Sequence, residues 1–577
     1  LIWATTATGQ HFLDARDVAT ASLRLRPFTV ISKDRVGVLV DPTSLAADLS
    51  ALASTVTITL FDGEQSLAST TIDSLPPAPF EVVFPVQALS MAWRFEGVVT
   101  LTDGTQLTSR RTLTPPETPA WLGRYEVPTD FVPHPWTALQ VEADTVTCWG
   151  RRYVFGDAAL PQQILVHGQD ILAGPMQLSV ATAAGLLRWD GPMQIVAHGP
   201  AQVVLQRAGE APGLDVSIRT TIDFDGFVAF DVDLTPTAPV MLDEVSVGIP
   251  VRYEVARFFH VDGGWRELRW GAVARRAEFP ALASERYYYW VGDDDVGLSW
   301  MTDRTAHWQA SDSLRTGFHR QVGQFQGFFQ PWSHRAELRE PFRIRLALEA
   351  TPTRPEYERP LRAFTSHNTP PERFAQPLPK GKDTILEMSL QGKFNFPPYP
   401  EHAERIADWI KGYVKRGIRV LGYHYISQEV STAHYHQHWG DWEATMPPIL
   451  HPRIGGERGT AWSFSCFNSS WSDYYCHIVD RTTSEFDTDG IYLDGIMQER
   501  MCERPLAHGP DCDQTWPLFA SRAHIKKLLY LVQQNRGSEA FLWGHSSDNK
   551  LAPFAGVMDL LYEGENYGGA IPYKHLT

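Results

Sequence analysis

The chain has 577 residues, a formal net charge of −16 and no run rich in lysine and arginine. Nucleic-acid-binding proteins need a basic surface, so this class is excluded. No stretch of about 18 apolar residues occurs, which excludes a membrane-spanning helix, and the length predicts several domains. The 19 Trp, 19 Tyr and 29 Phe residues favour carbohydrate binding without proving it, because aromatic rings stack on sugars and also fill cores.

Residues 1–118 are predicted to form a small, immunoglobulin-like β-sandwich. Between residues 15 and 115, short stretches alternate apolar and polar residues, as in VGVLV (37–41) and TVTITLFDG (55–63). Two of these stretches end in Asp-Gly, which is a strong turn signal. Several short strands at this spacing are typical of a sandwich.

Residues 119–355 continue the strand pattern without a long amphipathic helix, which predicts one large antiparallel sandwich (a supersandwich). The run Asp293-Asp294-Asp295 favours a solvated turn over a cation site, although a structural Ca²⁺ is compatible with it. The proline-rich residues 356–380 are predicted to be a linker.

Residues 381–577 alternate strand and helix patterns, which predicts parallel βα units. Helices are expected from Pro400 to Gly417, after Ser470, and from Ser521 to Gly537. No glycine-rich phosphate loop follows a strand, so a (β/α)₈-type barrel is favoured over a nucleotide-binding fold. Such a barrel has eight strands in about 250 residues, so the barrel is expected to be incomplete in this sequence. The six predicted strands cover residues 383–390, 418–427, 460–467, 489–495, 539–547 and 556–565.

Asp494 is the first candidate catalytic residue. It follows the buried strand Ile491-Tyr492-Leu493, and barrel enzymes carry their chemistry at the C-terminal ends of strands. The alternative is an aspartate that caps the next turn. Glu563 and Glu565 follow the sixth strand, and two carboxylates across a barrel mouth are what cleavage of a glycosidic bond requires. Asp494 suits the nucleophile or charge-stabilising role, and either glutamate suits the general acid/base.

Further polar and aromatic residues near the strand ends are candidates for substrate binding, and these are Tyr423, His424, Trp439, Asn468, His508, Trp543 and His545. The histidines of His434-Tyr435-His436-Gln437-His438 could share one side of an extended segment, as a zinc site requires. A sugar-contacting loop is the preferred interpretation, so no metal and no organic cofactor are predicted.

The five cysteines are too few for a disulfide framework. Cys502 and Cys512 could pair in an oxidising compartment, whereas Cys148, Cys466 and Cys476 are expected to be buried thiols. The chain begins with Leu rather than Met, as it would after removal of a secretory signal. A secreted, periplasmic or cell-surface protein is therefore expected, and the large sandwich faces could support a homodimer.

Several motifs resemble those of uncharacterised glycoside-hydrolase-like proteins related to glycoside hydrolase family 123. They are YLDG (492–495), the Cys-x₅-His-Gly pattern from Cys502 to Gly509, FLWGHSS (541–547), YEGENY (562–567) and DVGLSWMTD (295–303). The resemblance spans about residues 120–577. It implies a β-sandwich ahead of a (β/α)₈ catalytic barrel that acts on glycans.

One departure from that family bears on the mechanism. Family 123 enzymes use adjacent Asp-Glu residues, but Gly495 follows Asp494 here, so cleavage assisted by a substrate acetamido group is in doubt. An aspartate on strand four and an acid on strand six instead resemble retaining α-galactosidase-like barrels. A glycoside hydrolase acting on a poly- or oligosaccharide is the preferred function. The alternatives are a non-catalytic glycan-binding or surface protein on a decayed scaffold, and a polysaccharide lyase.

Overall fold

The computed structural model describes most of the chain. The described ranges are 2–6, 9–13, 22–89, 92–156, 159–262, 268–272, 278–280, 287–310, 315–321, 324–355, 361–365, 370–373, 383–388, 400–425, 429–446, 460–462, 464–496, 500–545 and 551–562. Within them, no helix is both long enough and apolar enough to cross a membrane.

The N-terminal part is a β-sandwich that follows a separate hairpin (β1, β2). Its two antiparallel sheets have the strand orders β3-β4-β7 and β6-β5-β8-β9. Alternate residues of both sheets, such as Val38 and Phe95, meet in one core because successive side chains of a strand point to opposite faces. The elements are Ile2–Thr6 (β1), Gly9–Leu13 (β2), Arg24–Val30 (β3), Arg35–Asp41 (β4), Ala47–Leu52 (α1), Ala53–Asp62 (β5), Gln65–Ile72 (β6), Phe80–Pro85 (β7), Trp93–Leu101 (β8) and Gln106–Leu113 (β9).

The middle part is a large, almost entirely β structure. Its strands form sheets of five, seven and ten strands around one extensive apolar core. The strands are Gln140–Glu142 (β10), Thr145–Cys148 (β11), Arg151–Phe155 (β12), Pro161–Val166 (β13), Gln169–Asp170 (β14), Gln177–Thr182 (β15), Gly185–Leu186 (β16), Arg188–Trp189 (β17), Gln194–His198 (β18), Gln202–Ala211 (β19), Leu214–Asp223 (β20), Phe227–Pro236 (β21), Val240–Val251 (β22), Phe258–Asp262 (β23), Leu268–Ala272 (β24), Glu278–Pro280 (β25), Tyr288–Gly292 (β26), Gly297–Met301 (β27), Thr316–Gln321 (β28), Gln324–Trp332 (β29), Ala336–Leu338 (β30) and Phe342–Thr351 (β31).

The C-terminal part is built on a sheet of six parallel strands. Their spatial order is β32-β33-β34-β37-β38-β39. The elements are Leu361–Thr365 (β32), Asp383–Met388 (β33), Pro400–Val414 (α2), Ile418–Tyr425 (β34), Glu429–Ser431 (β35), Thr432–Trp442 (α3), Thr460–Trp462 (β36), Trp471–Glu485 (α4), Gly490–Asp494 (β37), Pro505–His508 (α5), Leu518–Arg536 (α6), Phe541–His545 (β38), Ala552–Ala555 (α7) and Leu560–Tyr562 (β39).

The two faces of the parallel sheet have different partners. On one face, Leu386, Val420 and Leu493 join the large core that includes the helices. The opposite face carries a smaller aromatic cluster that includes Tyr423 and Tyr492. Residues two apart on a strand share a face, so this second face leads directly to the polar side chains at the strand ends.

Two details of this sheet differ from the sequence prediction. The first strand of the sheet, β32, lies inside the stretch predicted to be a linker (356–380) and pairs in parallel with β33. The predicted third strand, 460–467, contributes only β36, which pairs antiparallel with β35 outside the sheet. Six parallel strands are therefore present among the described residues, and a closed (β/α)₈ barrel is not shown.

The middle sandwich packs against the parallel-sheet part through buried charges. Arg522 on α6 contacts Asp225 at 2.7 Å and Asp223 at 3.0 Å, and all three side chains are nearly or fully buried. Lys526, one turn further along α6, lies 2.8 Å from Asp223. Buried charges are costly unless they are paired. At this contact between the two parts, each basic side chain lies against at least one aspartate.

The N-terminal sandwich also packs against the parallel-sheet part. Phe28 meets the ring of Trp439 at 5.1 Å, and the guanidinium of Arg26 lies 4.1 Å from the centre of the same ring. The fully buried Arg504 forms an ion pair with Glu81 on β7 at 2.9 Å. These contacts join β3 and β7 to α3 and to the loop that follows β37.

Candidate active site

Asp494 is the last residue of β37, and its carboxylate is contacted by a side chain from each neighbouring strand. The hydroxyl of Tyr423 on β34 donates to Oδ2. On the other side, His545 at the end of β38 places Nδ1 2.9 Å from Oδ1. The carboxylate is therefore held in one orientation while about a sixth of the side chain stays exposed (17%).

The strand register explains why these residues meet. Asp494 is paired with Tyr425 on β34 and with His545 on β38. Tyr423 lies two residues before Tyr425 and so shares its face. Parallel strands end at a common edge, which brings side chains that are distant in sequence to one place.

Aromatic rings form the floor beneath Asp494. Tyr492 stacks on Tyr423 at 5.5 Å and meets Trp543 edge-on at 4.9 Å. Its ring centre also lies 6.1 Å from that of His545. The predicted residue Trp543 thus belongs to this cluster, but it is only 3% exposed and supports the site from below.

Tyr423 is suited to donate a hydrogen bond to Asp494. Burial raises the pKa of its hydroxyl, and the nearby charge of Asp494 raises this pKa further, because both effects disfavour the phenolate. At neutral pH the hydroxyl therefore keeps its proton and remains a hydrogen-bond donor to Asp494.

A second carboxylate of this face, Glu387 on β33, was not among the sequence-predicted site residues. It is fully buried and close enough to Tyr423 to raise the pKa of that hydroxyl. In sequence it is one acid within a short apolar strand, DTILEM. No local signal in the sequence marks Glu387, since the strand order is what brings it close to Tyr423.

The predicted acids Glu563 and Glu565 lie outside the described residues. The described part of β39 ends at Tyr562, which is paired with His545. Their role as partner carboxylates stays a prediction.

His424 lies on the other face of the sheet from Asp494. It is buried, and its ring lies 6.2 Å from that of Tyr475 on α4. Burial lowers the pKa of the imidazole to about 3. The side chain is therefore neutral and packed between sheet and helix, because neighbouring residues of a strand point to opposite faces.

The other three predicted substrate-binding residues do not join this cluster. Trp439 is buried on α3 beneath Phe28 and Arg26 of the N-terminal sandwich. Asn468 donates a hydrogen bond to the sulfur of Cys512 at 3.2 Å. His508 is buried beside Cys502, with Nδ1 3.2 Å from that sulfur.

The histidine-rich segment is helical rather than extended. Residues 432–442 form α3, in which Tyr435, Trp439 and Trp442 are buried. Their spacing of three and four residues is the helical repeat, and it outweighs the alternation of the histidines. The three histidines therefore do not share one side as an extended segment would require.

Two other sequence predictions concern charged or sulfur-bearing groups. Asp293 Oδ1 accepts hydrogen bonds from the backbone amides of Asp295 and Val296, each at 2.9 Å, as expected for a solvated turn. The suggested pairing of Cys502 with Cys512 is not present, and all five cysteines are buried thiols.

The comparison with protein families gives one match. Residues 139–321 match the family model "Glycoside hydrolase 123, third domain". This match covers much of the middle sandwich, including the DVGLSWMTD motif (295–303), and supports the relation to glycoside hydrolase family 123 for that part of the chain. No curated protein matches the chain significantly.

Among solved structures, the chain is similar to several carbohydrate-active proteins at low identity. The cycloalternan-forming enzyme from Listeria monocytogenes, in complex with a pentasaccharide substrate, shares 8% identity, with 90% of this chain and 53% of that chain covered and a TM-score of 0.33. The cycloalternan-degrading enzyme from Trueperella pyogenes shares 10% identity, with 93% and 68% covered and a TM-score of 0.30. A β-arabinopyranosidase shares 10% identity, with 74% and 69% covered and a TM-score of 0.30. The chain thus spans about half the length of the first of these proteins.

Proposed function

We propose that the chain is a glycoside hydrolase that cleaves a poly- or oligosaccharide at the C-terminal edge of its parallel sheet. The observation that carries the proposal is the Asp494 carboxylate, which is fixed by Tyr423 and His545 and remains partly exposed. The match of the adjoining sandwich to a glycoside hydrolase family supports the same reaction class.

In this mechanism Asp494 attacks the anomeric carbon or stabilises the positive charge that develops there. Hydrolysis needs a second carboxyl group that protonates the leaving oxygen. Glu563 or Glu565, which follow β39 in the sequence, supplies this group on a (β/α)₈-type scaffold with Asp494 at the end of β37. Secretion, homodimer formation and a structural Ca²⁺ stay predictions of the sequence.

A polysaccharide lyase fits the site less well. A lyase needs a base that removes a proton from the sugar, and Tyr423 is the tyrosine nearest the exposed carboxylate. Burial and the nearby charge of Asp494 raise the pKa of Tyr423, which favours the protonated hydroxyl and disfavours this residue as that base.

The test is release of reducing ends from a broad panel of polysaccharides. Asp494→Asn removes the charge and keeps the shape, so we expect turnover to fall by at least a thousandfold (about 4 kcal/mol or more). Asp487→Asn is the matched control, because Asp487 precedes the same strand but pairs with Arg536 at the surface. Unchanged turnover in Asp494→Asn would contradict the proposal.

The partner acid is identified by comparing Glu563→Gln, Glu565→Gln and Glu387→Gln. Removal of a general acid slows substrates with poor leaving groups more than those with good ones, because good leaving groups need no proton. We expect one of the first two variants to lose activity on the natural glycan and to keep activity on an activated aryl glycoside. Glycan binding that survives in Asp494→Asn, without turnover in any variant or in the wild type, would instead indicate a binding protein.

A further inference from the structure

Three thiols and one imidazole converge at a point away from the Asp494 cluster. The sulfur atoms of Cys466, Cys502 and Cys512 and a ring nitrogen of His508 all lie within 4.8 Å of one another. The three cysteines are completely buried, and His508 is 4% exposed. This convergence lies outside both the proposed chemistry and the family match, which ends at residue 321.

The hydrogen bonds fix the direction of the imidazole lone pair. His508 Nε2 lies 2.7 Å from the backbone carbonyl oxygen of Asp441, and a carbonyl can only accept. Nε2 therefore carries the proton, and Nδ1 presents its lone pair to the sulfur of Cys502, 3.2 Å away. A histidine that binds a metal typically donates its other ring N–H to a carbonyl or carboxylate in this way.

The sulfur positions also match tetrahedral coordination. Cys466 and Cys512 have their sulfur atoms 4.0 Å apart, whereas Zn–S bonds of about 2.3 Å in a tetrahedron place two sulfurs ~3.8 Å apart. The side-chain amide of Asn468 donates to the sulfur of Cys512 at 3.2 Å. Such a donor stabilises negative charge on a thiolate.

The four side chains come from segments with little regular structure: His508 ends the single turn of α5, and Cys512 ends a short 3-10 turn. Cys502 forms two backbone hydrogen bonds with Thr515, at 2.8 and 2.9 Å. The amide of Cys466 donates to the carbonyl of Trp442 at 2.8 Å, and the amide of Glu503 donates to that of Ala444 at 2.9 Å. Three chain segments therefore meet at the thiols with only a few backbone bonds between them.

We propose that Cys466, Cys502, His508 and Cys512 bind a structural zinc ion. Four protein ligands fill a tetrahedral shell, which is the hallmark of structural rather than catalytic zinc sites. The thiols release their protons to solvent when the metal binds. A disulfide would use only two of the three sulfurs and would give no role to the oriented Nδ1 of His508. The same proposal assigns His508 to the metal and Asn468 to a hydrogen bond with the ligand sulfur of Cys512, rather than either residue to substrate.

The first experiment measures metal content of the full chain after expression in zinc-supplemented medium. Elemental analysis should find about one zinc ion per chain. Cys512→Ser should lower this content at least tenfold. Cys476→Ser should leave it unchanged, since Cys476 is a fully buried thiol on α4 outside the cluster.

The second experiment remains informative if Cys512→Ser does not fold. Cobalt incorporated during expression should show the visible bands of a tetrahedral site and a sulfur-to-metal charge-transfer band in the near ultraviolet. His508→Cys should retain the metal and strengthen the charge-transfer band, because a fourth thiolate replaces the imidazole.

A folded wild type with no metal and with either intact thiols or a disulfide would overturn the proposal. Equal metal content in the wild type and in His508→Ala would also overturn it. Neither result depends on glycosidase activity.

Discussion

Two different kinds of side chain contact the carboxylate of Asp494, one from each neighbouring strand. Tyr423 brings a hydroxyl whose raised pKa keeps its proton in place, and His545 brings an imidazole from the next strand. In the proposed reaction, fixing this carboxylate before the substrate arrives removes the entropic cost of orienting it. The preorganised geometry therefore predicts that each donor affects the rate more than it affects the fold.

Tyr423→Phe tests this at the level of one hydrogen bond. The ring stays on Tyr492, but Asp494 loses the donor on one side, so we expect kcat to fall by about 10–100-fold (~1.4–2.8 kcal/mol). The measurement is kcat and KM on the best substrate of the panel. Tyr530→Phe is the control, since Tyr530 on α6 packs against Phe131 instead. A kcat equal to that of the wild type would show that His545 alone orients Asp494.

At the residue scale, the sequence marks Asp494 as the end of a buried strand but does not mark all of its surroundings, and its catalytic role stays a prediction. Asp494 stands at the end of an apolar run, which is a local signal, and Tyr423 and His545 carry the same signal. Glu387 has no such local signal, because only the order of the strands in the sheet brings it close to Tyr423. The thiol cluster is likewise invisible locally, since Cys466 and Cys502 are brought together by tertiary packing.

At the scale of elements, the long periodic helices and the buried strands were predictable. The structure has α2 and α6 where the three-and-four spacing of apolar residues predicts helices, and β37 covers Gly490–Asp494 as expected. Strand β32 was not predicted because proline-rich flanks dominated its surroundings. Helix α3 was not predicted because the alternating histidines favoured an extended segment. The buried aromatic residues of the same segment follow the helical repeat.

Gly490 is the residue that allows β37 to approach β38. Its φ is +153°, and a Cβ there would lie 2.0 Å from the carbonyl oxygen of Phe541. Gly490→Ala should therefore destabilise the protein by ~3 kcal/mol or more, through overpacking and backbone strain together. The measurement is the free energy of unfolding in urea.

Gly537→Ala separates the two contributions to that loss. Gly537 ends α6 with φ +88°, and nothing lies within 4 Å of the Cβ position. This control should cost less, about 1–3 kcal/mol, which is the conformational part of the effect, because residues other than glycine rarely adopt the φ and ψ of Gly537. Equal losses in both variants would rule out close approach as the reason for glycine at position 490.

At the scale of the whole molecule, the parts are joined by buried charges. Glu349 on β31 is fully buried near Asp225 and Arg522, and within the described part of the chain neither carboxylate oxygen has a hydrogen-bond partner. Burial raises the pKa of this carboxyl to about 8, and the nearby charge of Asp225 adds to the effect. The junction therefore contains one acid that prefers to be neutral.

This predicts a pH dependence of stability. Between about pH 4.5 and 8 the folded chain keeps the proton of Glu349 while the unfolded chain has lost it. The free energy of unfolding due to this group therefore falls as pH rises, by up to ~1.4 kcal/mol per pH unit. Glu349→Gln should flatten this fall in urea melts across that range, and Glu210→Gln, an exposed change on β19, should not. Parallel curves for Glu349→Gln and the wild type would contradict the assignment.

The contact between the N-terminal sandwich and α3 limits which fragments of the protein can be expressed as stable domains. The sequence predicts a domain boundary near residue 118, which suggests a fragment that starts there. Yet such a fragment would lose Phe28 and Arg26 from the ring of Trp439 and Glu81 from the fully buried Arg504. The cut would leave Arg504 without its carboxylate partner and would expose the ring of Trp439, which is buried in the full chain. The smallest useful fragment with the parallel sheet should therefore retain the strands that begin at Arg24, because the first sandwich serves as the cover of the last domain.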